Sequence, residues 1–111
     1  MATIANIFVD AGTNYSNIIT VAASTGAPLD LTGYTVKSQI RKSYSSSTAY
    51  NFTTSVFQAQ QGKVRLELTA EQTGAIAPGR YLYDVEITSP SGTKTRVVEG
   101  IVTVTPEITQ I

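Results

Sequence analysis

The chain has 111 residues, eight basic and eight acidic side chains, and neither cysteine nor histidine. This length predicts one domain with one hydrophobic core, and the zero net charge argues against a basic surface that binds nucleic acid or anionic lipid. The missing residue types exclude disulfide bonds, thiolate and imidazole catalysis, and the nitrogen and sulfur ligands that zinc prefers.

The N-terminal residues MATIANIFVD lack a basic region, and Asn6 and Asp10 interrupt their apolar run. This pattern does not fit a signal peptide. The chain also has no run of about eighteen apolar residues, the length that a membrane-spanning segment requires. We therefore expect a soluble protein that is made in a cytoplasm.

Seven segments with strand character follow one another, separated by residues that are typical of turns. They are residues 4–10, 15–23, 34–42, 50–57, 63–69, 80–88 and 94–105. Glycine, proline or serine occupies the junctions, for example at Gly26, Pro78 and Gly92. Because no long helical periodicity occurs, the sequence predicts an all-β, immunoglobulin-like antiparallel sandwich of about seven strands, with residues 1–111 as a single domain.

Three of these segments alternate apolar and polar residues, which predicts one buried and one exposed face in each strand. In the fifth segment the exposed face carries Lys63, Arg65 and Glu67. The predicted core residues are Tyr34, Val36 and Ile40 in the third segment, Val64, Leu66 and Leu68 in the fifth, and Tyr81, Tyr83, Val85 and Ile87 in the sixth.

The junction between the fifth and sixth segments predicts one short helical turn. Thr69 is a suitable N-cap, Gln72 occupies the capping-box position, and Gly74 ends the turn. In immunoglobulin-type sandwiches, a tyrosine of the next strand often donates a hydrogen bond back to this corner. Tyr81 or Tyr83 could do so, and simple burial of both rings is the alternative.

The last segment is too long for one uninterrupted alternation. Val98 shares a face with Val102 and Val104, whereas Val97 and Ile101 lie on the other face. We predict that a bulge at Gly100 resets the register. For residues 107–111, beyond Pro106, two alternatives stay open: a loose end, or a segment that reaches a neighbouring subunit.

The acidic residues do not form a recognisable reactive site. Asp30 lies in a sequence typical of a turn, and no aspartate belongs to a calcium-binding loop. Glu67 and Glu71, together with Asp84 and Glu86, are the acids that could supply a catalytic carboxylate pair of the glycosidase type. Cross-strand ion pairs, such as Arg65 with Glu86, explain these acids better. We therefore predict no catalytic, cofactor-binding or metal-ligating residues and no cofactor, and we expect that the protein is not an enzyme.

A basic and aromatic group in the middle of the chain is the strongest candidate for a ligand surface. It could stack sugar rings or bases, but Tyr34 is needed in the core and three cations in a neutral chain are usually only a solvated strand face, which is the preferred interpretation. The basic and aromatic group comprises Lys37, Arg41, Lys42, Tyr34, Tyr44 and Tyr50.

Residues 44–54, which are irregular and rich in serine, form either a loop before an edge strand or an arm that orders on another subunit. Chance explains the two glycosylation sequons at Asn14 and Asn51.

Three stretches of the chain resemble a known class of module. They are GAPLDLTGYTV from Gly26, GKVRLELT from Gly62 and PGRYLYDV from Pro78, and they are followed by GIVTV from Gly100. This pattern is similar to the immunoglobulin-like modules of tailed-bacteriophage virions, in particular the N-terminal domain of phage baseplate upper proteins and related tail or neck appendage proteins.

The resemblance implies a non-enzymatic structural or assembly module of a virion, which acts through contacts with other virion proteins or with copies of itself. Relatives of this kind usually begin a longer polypeptide, so the length of this chain fits a small decoration or connector protein better. We expect contacts at the first strand and at residues 44–57, and neither nucleic acid binding nor membrane insertion. The alternative is a carbohydrate-binding or adhesive module that uses surface tyrosines.

Overall fold

A computed structural model describes residues 3–23 and 26–106. Residues 107–111, which the sequence predicts to be either a loose end or a segment that reaches a neighbouring subunit, lie outside the described residues. One short helix, α1 (Ala70–Gly74), and one 3₁₀ turn (Ala59–Gln61) accompany the strands. The strands are β1 (Thr3–Ile4), β2 (Ile7–Asp10), β3 (Tyr15–Thr20), β4 (Thr35–Arg41), β5 (Ala49–Asn51), β6 (Thr53–Val56), β7 (Lys63–Leu68), β8 (Gly79–Thr88) and β9 (Lys94–Thr105).

The strands form two sheets that enclose one core, which confirms the predicted all-β sandwich. In the larger sheet β9 pairs with β8, β8 with β4 and β4 with β5, all antiparallel. The smaller sheet is antiparallel throughout, in the order β3, β7, β6. The first strand departs from this pattern, since β1 and β2 both run parallel to β9.

Two of the seven predicted strands are each divided in the structure. The segment 4–10 breaks between β1 and β2, where the Asn6 side chain accepts a hydrogen bond from the Ile101 backbone N–H (3.0 Å). The segment 50–57 breaks at Phe52, whose buried side chain lies where the chain passes from β5 in one sheet to β6 in the other. These breaks change the strand count without changing which faces are buried.

The predicted alternation is confirmed in β7 and β8. Both strands bury every second side chain between the layers, where apolar groups are removed from water. In β4, Ile40 is buried, whereas Val36 and the preceding Tyr34, just outside the strand, are only partly covered. The buried side chains of the two central strands are Val64, Leu66, Leu68, Tyr81, Tyr83, Val85 and Ile87.

One core position in β4 is polar. Ser38 is 3% exposed, and its hydroxyl donates a hydrogen bond to the Asp84 carbonyl oxygen on β8 (2.6 Å). The Phe52 N–H in turn donates to the Ser38 carbonyl (3.0 Å). Ser38 is therefore satisfied inside the sandwich, and it fixes the crossing of the chain at Phe52.

The predicted bulge at Gly100 is wrong, because the irregularity lies earlier in β9. Val85 pairs with Val98 and Glu86 pairs with Arg96, so the extra residue is Val97. Gly100 pairs regularly with Tyr83. It is required for another reason: a Cβ atom there would lie 2.1 Å from the Ala5 carbonyl oxygen, so only glycine lets the first strand lie against β9.

The helical corner has the predicted capping box. The Gln72 N–H donates to the Thr69 hydroxyl (3.2 Å), and the Thr69 N–H donates to the Gln72 side chain (2.8 Å). Buried Thr73 adds a contact that the sequence did not suggest, because its hydroxyl donates to the Thr13 carbonyl (2.8 Å) and accepts from the Gly12 N–H (3.0 Å). The corner is thereby tied to the loop before β3.

Both tyrosines of β8 are buried and both also hold neighbouring backbone. The Tyr81 hydroxyl donates to the Ala77 carbonyl (2.5 Å), which is the predicted bond back to the corner. The Tyr83 hydroxyl donates to the Ala5 carbonyl (2.6 Å), between β1 and β2. Tyr83 therefore connects the core to the first strand.

We expect the stability of the protein to fall between about pH 10 and pH 12. Burial, together with the nearby Tyr15, raises the pKa of Tyr83 to about 12, compared with about 10 in an unfolded chain. Within this range the folded state retains a proton that the unfolded state releases, so a rise in pH favours unfolding. Urea unfolding measured across this range should show a smaller decline in Tyr83→Phe. Tyr44→Phe, at an exposed ring, is the control, and an identical decline in Tyr83→Phe and the wild type would contradict the assignment.

Candidate functional site

The outer face of the larger sheet forms a groove of about 620 Å³. Its floor is made by side chains of β4, β8 and β9 that alternate with the buried ones, and β1 and the loop after β4 form its sides. The residues on its outward surface include Ile4, Lys37, Gln39, Arg41, Tyr44, Leu82, Asp84, Glu86, Arg96, Glu99 and Ile101.

The strand register determines which of these side chains are neighbours. Leu82 pairs with Ile101 on one side and with Arg41 on the other. The next row carries Gln39, Asp84, Glu99 and Ile4. The paired side chains of Leu82 and Ile101 therefore lie next to a row that contains the polar and acidic groups of Gln39, Asp84 and Glu99.

The acidic side chains are organised around Arg96. Its guanidinium donates to the Asp84 carboxylate (3.1 Å) and lies 3.7 Å from the Glu99 carboxylate. Burial raises the pKa of Asp84, with further contributions from Glu86 and Glu99, and Arg96 acts in the opposite direction. One guanidinium thus offsets part of the repulsion within an acidic group on the groove floor.

The first strand and the loop after β4 present large apolar side chains to solvent. Ile4 is 74% exposed, Phe8 is 70% exposed and the ring of Tyr44 is 78% exposed. Phe8 lies opposite Thr103, and Ile101 lies on the same face of β9 between this position and Glu99. Ile4, Phe8 and Ile101 therefore form an apolar strip along the edge of the larger sheet, which we call the β1–β9 strip.

The predicted basic and aromatic group is divided by the fold. Lys37, Arg41 and Tyr44 do lie around the groove. Tyr50 instead packs edge-on against Tyr81, with ring centroids 6.3 Å apart. The other two members are also placed elsewhere: Lys42 lies over the Tyr81 ring (4.8 Å), and Tyr34 packs against the core.

The suggested ion pair between Arg65 and Glu86 does not form. The helical corner directs β7 and β8 into different sheets, so these two side chains lie on opposite outer faces. Arg65 instead stacks over Phe57, with its guanidinium 4.7 Å from the ring centroid. For the same reason Glu67 does not face Asp84 across a cleft, and the glycosidase-type dyad is not assembled.

Other acidic and amide side chains have local structural roles. Asp30 accepts hydrogen bonds from the Thr32 N–H (3.0 Å) and hydroxyl (2.6 Å), which lowers its pKa and confirms the predicted turn. Asn14, in the first sequon, accepts a bond from the N–H of Ala70 at the start of α1 (2.8 Å). Within residues 3–23 and 26–106, no cluster of three acidic side chains has a geometry that could hold a metal ion.

Sequence reasoning identified only part of the groove. It missed Leu82, Arg96, Glu99 and Ile101 as parts of one surface, because their proximity depends on how β8 and β9 pair. The pattern that could have identified them is the alternation of β8 and β9, in which every second side chain is directed away from the core. The described part of the chain also contains no helix with the length and hydropathy needed to cross a membrane.

A scan against models of known families gives no match, and a search of curated proteins gives none either. Among solved structures, an internalin-like protein of Listeria monocytogenes is similar at 13% identity and a TM-score of 0.48, over 94% of this chain and 28% of that one. This chain thus spans less than a third of that protein.

Two further solved structures are similar over most of this chain. AggA, the major subunit of aggregative adherence fimbriae type I from Escherichia coli, has 15% identity and a TM-score of 0.45, over 90% of this chain and 89% of that one. A family 123 glycoside hydrolase from Clostridium perfringens has 9% identity and a TM-score of 0.45, over 97% of this chain and 24% of that one. Because all three identities are 15% or lower and all three TM-scores are below 0.5, none of these structures informs the function of this chain.

Proposed function

We propose that the protein is a non-enzymatic structural or assembly module of a tailed-phage virion, in the baseplate, tail, neck or fibre attachment. The observation that carries the contact role is the β1–β9 strip, where Ile4, Phe8 and Ile101 are exposed on one outward face of neighbouring strands. The virion context is supported by the sequence resemblance described above. Other virion proteins are its partners, and it joins them after synthesis in the host cytoplasm.

The strip has the composition of a protein contact surface. Ile4 lies beside Glu99, whose row continues with Asp84, and Arg96 lies near both carboxylates, so charged groups adjoin the apolar residues as a polar rim adjoins the core of an interface. Covering the side chain of Phe8 alone would contribute roughly 1.5 to 3 kcal/mol. The mechanism is therefore burial of a preformed surface, and no bond is made or broken.

We expect Phe8→Ser to reduce incorporation into phage particles about tenfold, because aromatic anchors dominate contact energies. The test mixes tagged wild-type and variant chains during infection and quantifies both by mass spectrometry of purified particles. Lys94→Ser, at an exposed position at the far end of β9, is the matched control. Equal incorporation of Phe8→Ser and wild type, or particles without the chain, would contradict the proposal.

The groove supports a second candidate, a carbohydrate-binding module. The exposed ring of Tyr44 stands beside charged side chains that could hydrogen-bond hydroxyl groups, with Lys37 and Arg41 nearby. Saturable binding on a glycan array that is lost in Tyr44→Ala would favour this role. The assembly proposal expects no such binding.

A further inference from the structure

The edge of the smaller sheet at β3 differs from the edges at β5 and β6. Strand β3 pairs with β7 on one side, and no described strand lies on its other side. Its six residues, YSNIIT, include no charge, proline or glycine, the features that usually prevent edge pairing. By contrast, β5 has three residues, and β6 has four and is tied to β4 by a bond from the Thr54 hydroxyl to the Val36 carbonyl (2.8 Å).

The backbone groups at this edge can be assigned from neighbouring contacts. The Val21 N–H, just beyond β3, donates to the Gly62 carbonyl beside β7 (2.7 Å). Successive residues of a strand direct their N–H and C=O groups to opposite sides, so residues 15, 17, 19 and 21 are directed towards β7. Ser16, Ile18 and Thr20 consequently direct their backbone groups to the free edge.

We propose that a second copy of this chain pairs with the free edge of β3, antiparallel and about a two-fold axis through Ile18. Residues opposite each other in an antiparallel pair project from the same face. The register that uses all three outward residues therefore pairs Ile18 with Ile18 of the second copy, and Ser16 with Thr20. Two bonds form at each of these three pairs, about six in all.

The side chains are compatible with this register. Ile18 is 45% exposed in the single chain and becomes covered by its own copy. In the next row, Ser16 lies beside Glu67, and Thr20 lies beside Lys63. The two-fold axis therefore places Glu67 and Lys63 at opposite ends of the same row, separated by two short hydroxyl side chains. Arg65, beside Ile18, is already stacked over Phe57.

This pairing uses the smaller sheet, whereas the β1–β9 strip lies on the larger one. A homodimer through β3 leaves the strip and the groove uncovered. The inference therefore goes beyond the proposed virion role, and either can fail without the other.

Single cysteines test the register directly, because the natural chain contains none. At the two-fold axis the Cα atoms of the paired residues lie about 5.5 Å apart, within disulfide range. Oxidised Ile18→Cys should form a covalent dimer, Thr20→Cys alone should not, and a mixture of Ser16→Cys with Thr20→Cys should. Cross-linking of Thr20→Cys as fast as Ile18→Cys would overturn the proposal.

Charge at Ile18 gives a second test, which is read by sedimentation equilibrium. Ile18→Asp and Ile18→Lys should each weaken self-association about tenfold or more, because like charges then meet across the axis. An equimolar mixture of the two folded variants should associate again as a heterodimer. A wild-type chain that is monomeric at every concentration, or an Ile18→Asp variant that associates as the wild type does, would refute the pairing.

Discussion

Gly62→Ala is expected to destabilise the fold by about 3 kcal/mol or more, since left-handed backbone strain adds to overpacking. Gly62 has φ +68, and a Cβ atom there would lie 2.5 Å from the Val21 carbonyl oxygen and 2.8 Å from that of Leu29. These are backbone atoms of segments already joined by a bond from the Leu29 N–H to the Val21 carbonyl (2.9 Å). Relief of the clash therefore requires the chain itself to move.

The matched control for this variant is Gly92→Ala. Gly92 has φ +94, but a Cβ atom there meets nothing within 4 Å, so this variant isolates the backbone strain. We expect it to cost only about 1 kcal/mol in urea unfolding. If Gly62→Ala lost no more stability than Gly92→Ala, the close approach of Val21 and Leu29 would be contradicted.

Gly100→Ala is expected to cost about 3 kcal/mol and to release the first strand, by overpacking alone. The added Cβ atom would lie 2.1 Å from the Ala5 carbonyl oxygen and 2.8 Å from its carbon. Ala5 is held there by its N–H bond to the Glu99 carbonyl (2.9 Å) and by the Tyr83 hydroxyl (2.6 Å). Separation of the strands breaks both bonds.

This variant should also leave a local signature. Amide hydrogen exchange of β2 should become faster than that of β7, because β2 loses its neighbour while the smaller sheet remains intact. Gly74→Ala is the control, since its nearest contact would be an ordinary 3.8 Å. Unchanged exchange in β2 would show that the first strand is held in another way.

The buried faces of the two central strands could be predicted because their alternation is local. Val64, Leu66 and Leu68 are separated by polar residues, and the capping box of Thr69 and Gln72 lies within four residues. Such patterns require no knowledge of the partner strand. The sandwich and its helical corner therefore followed from sequence.

Features that depend on distant strands could not be predicted in this way. The bulge falls at Val97 because of how β8 pairs, and the parallel pairing of the first strand joins segments almost a chain length apart. The predicted ion pair between Arg65 and Glu86 is wrong for the same reason, because the sequence does not reveal that β7 and β8 belong to different sheets. The groove depends on the same long-range register. The sequence therefore identifies some of its residues, but not that they form one surface.

Hydroxyl-radical footprinting of the chain within purified phage particles is the most direct test of the proposed assembly role. In the free protein the side chains of Ile4 and Phe8 are largely exposed and should be oxidised readily. The proposed role predicts that both side chains lose most of this reactivity in the particle, while Phe57, just after β6, keeps the reactivity that it has in the free protein. Equal oxidation of Phe8 in the free and the particle-bound chain would contradict it.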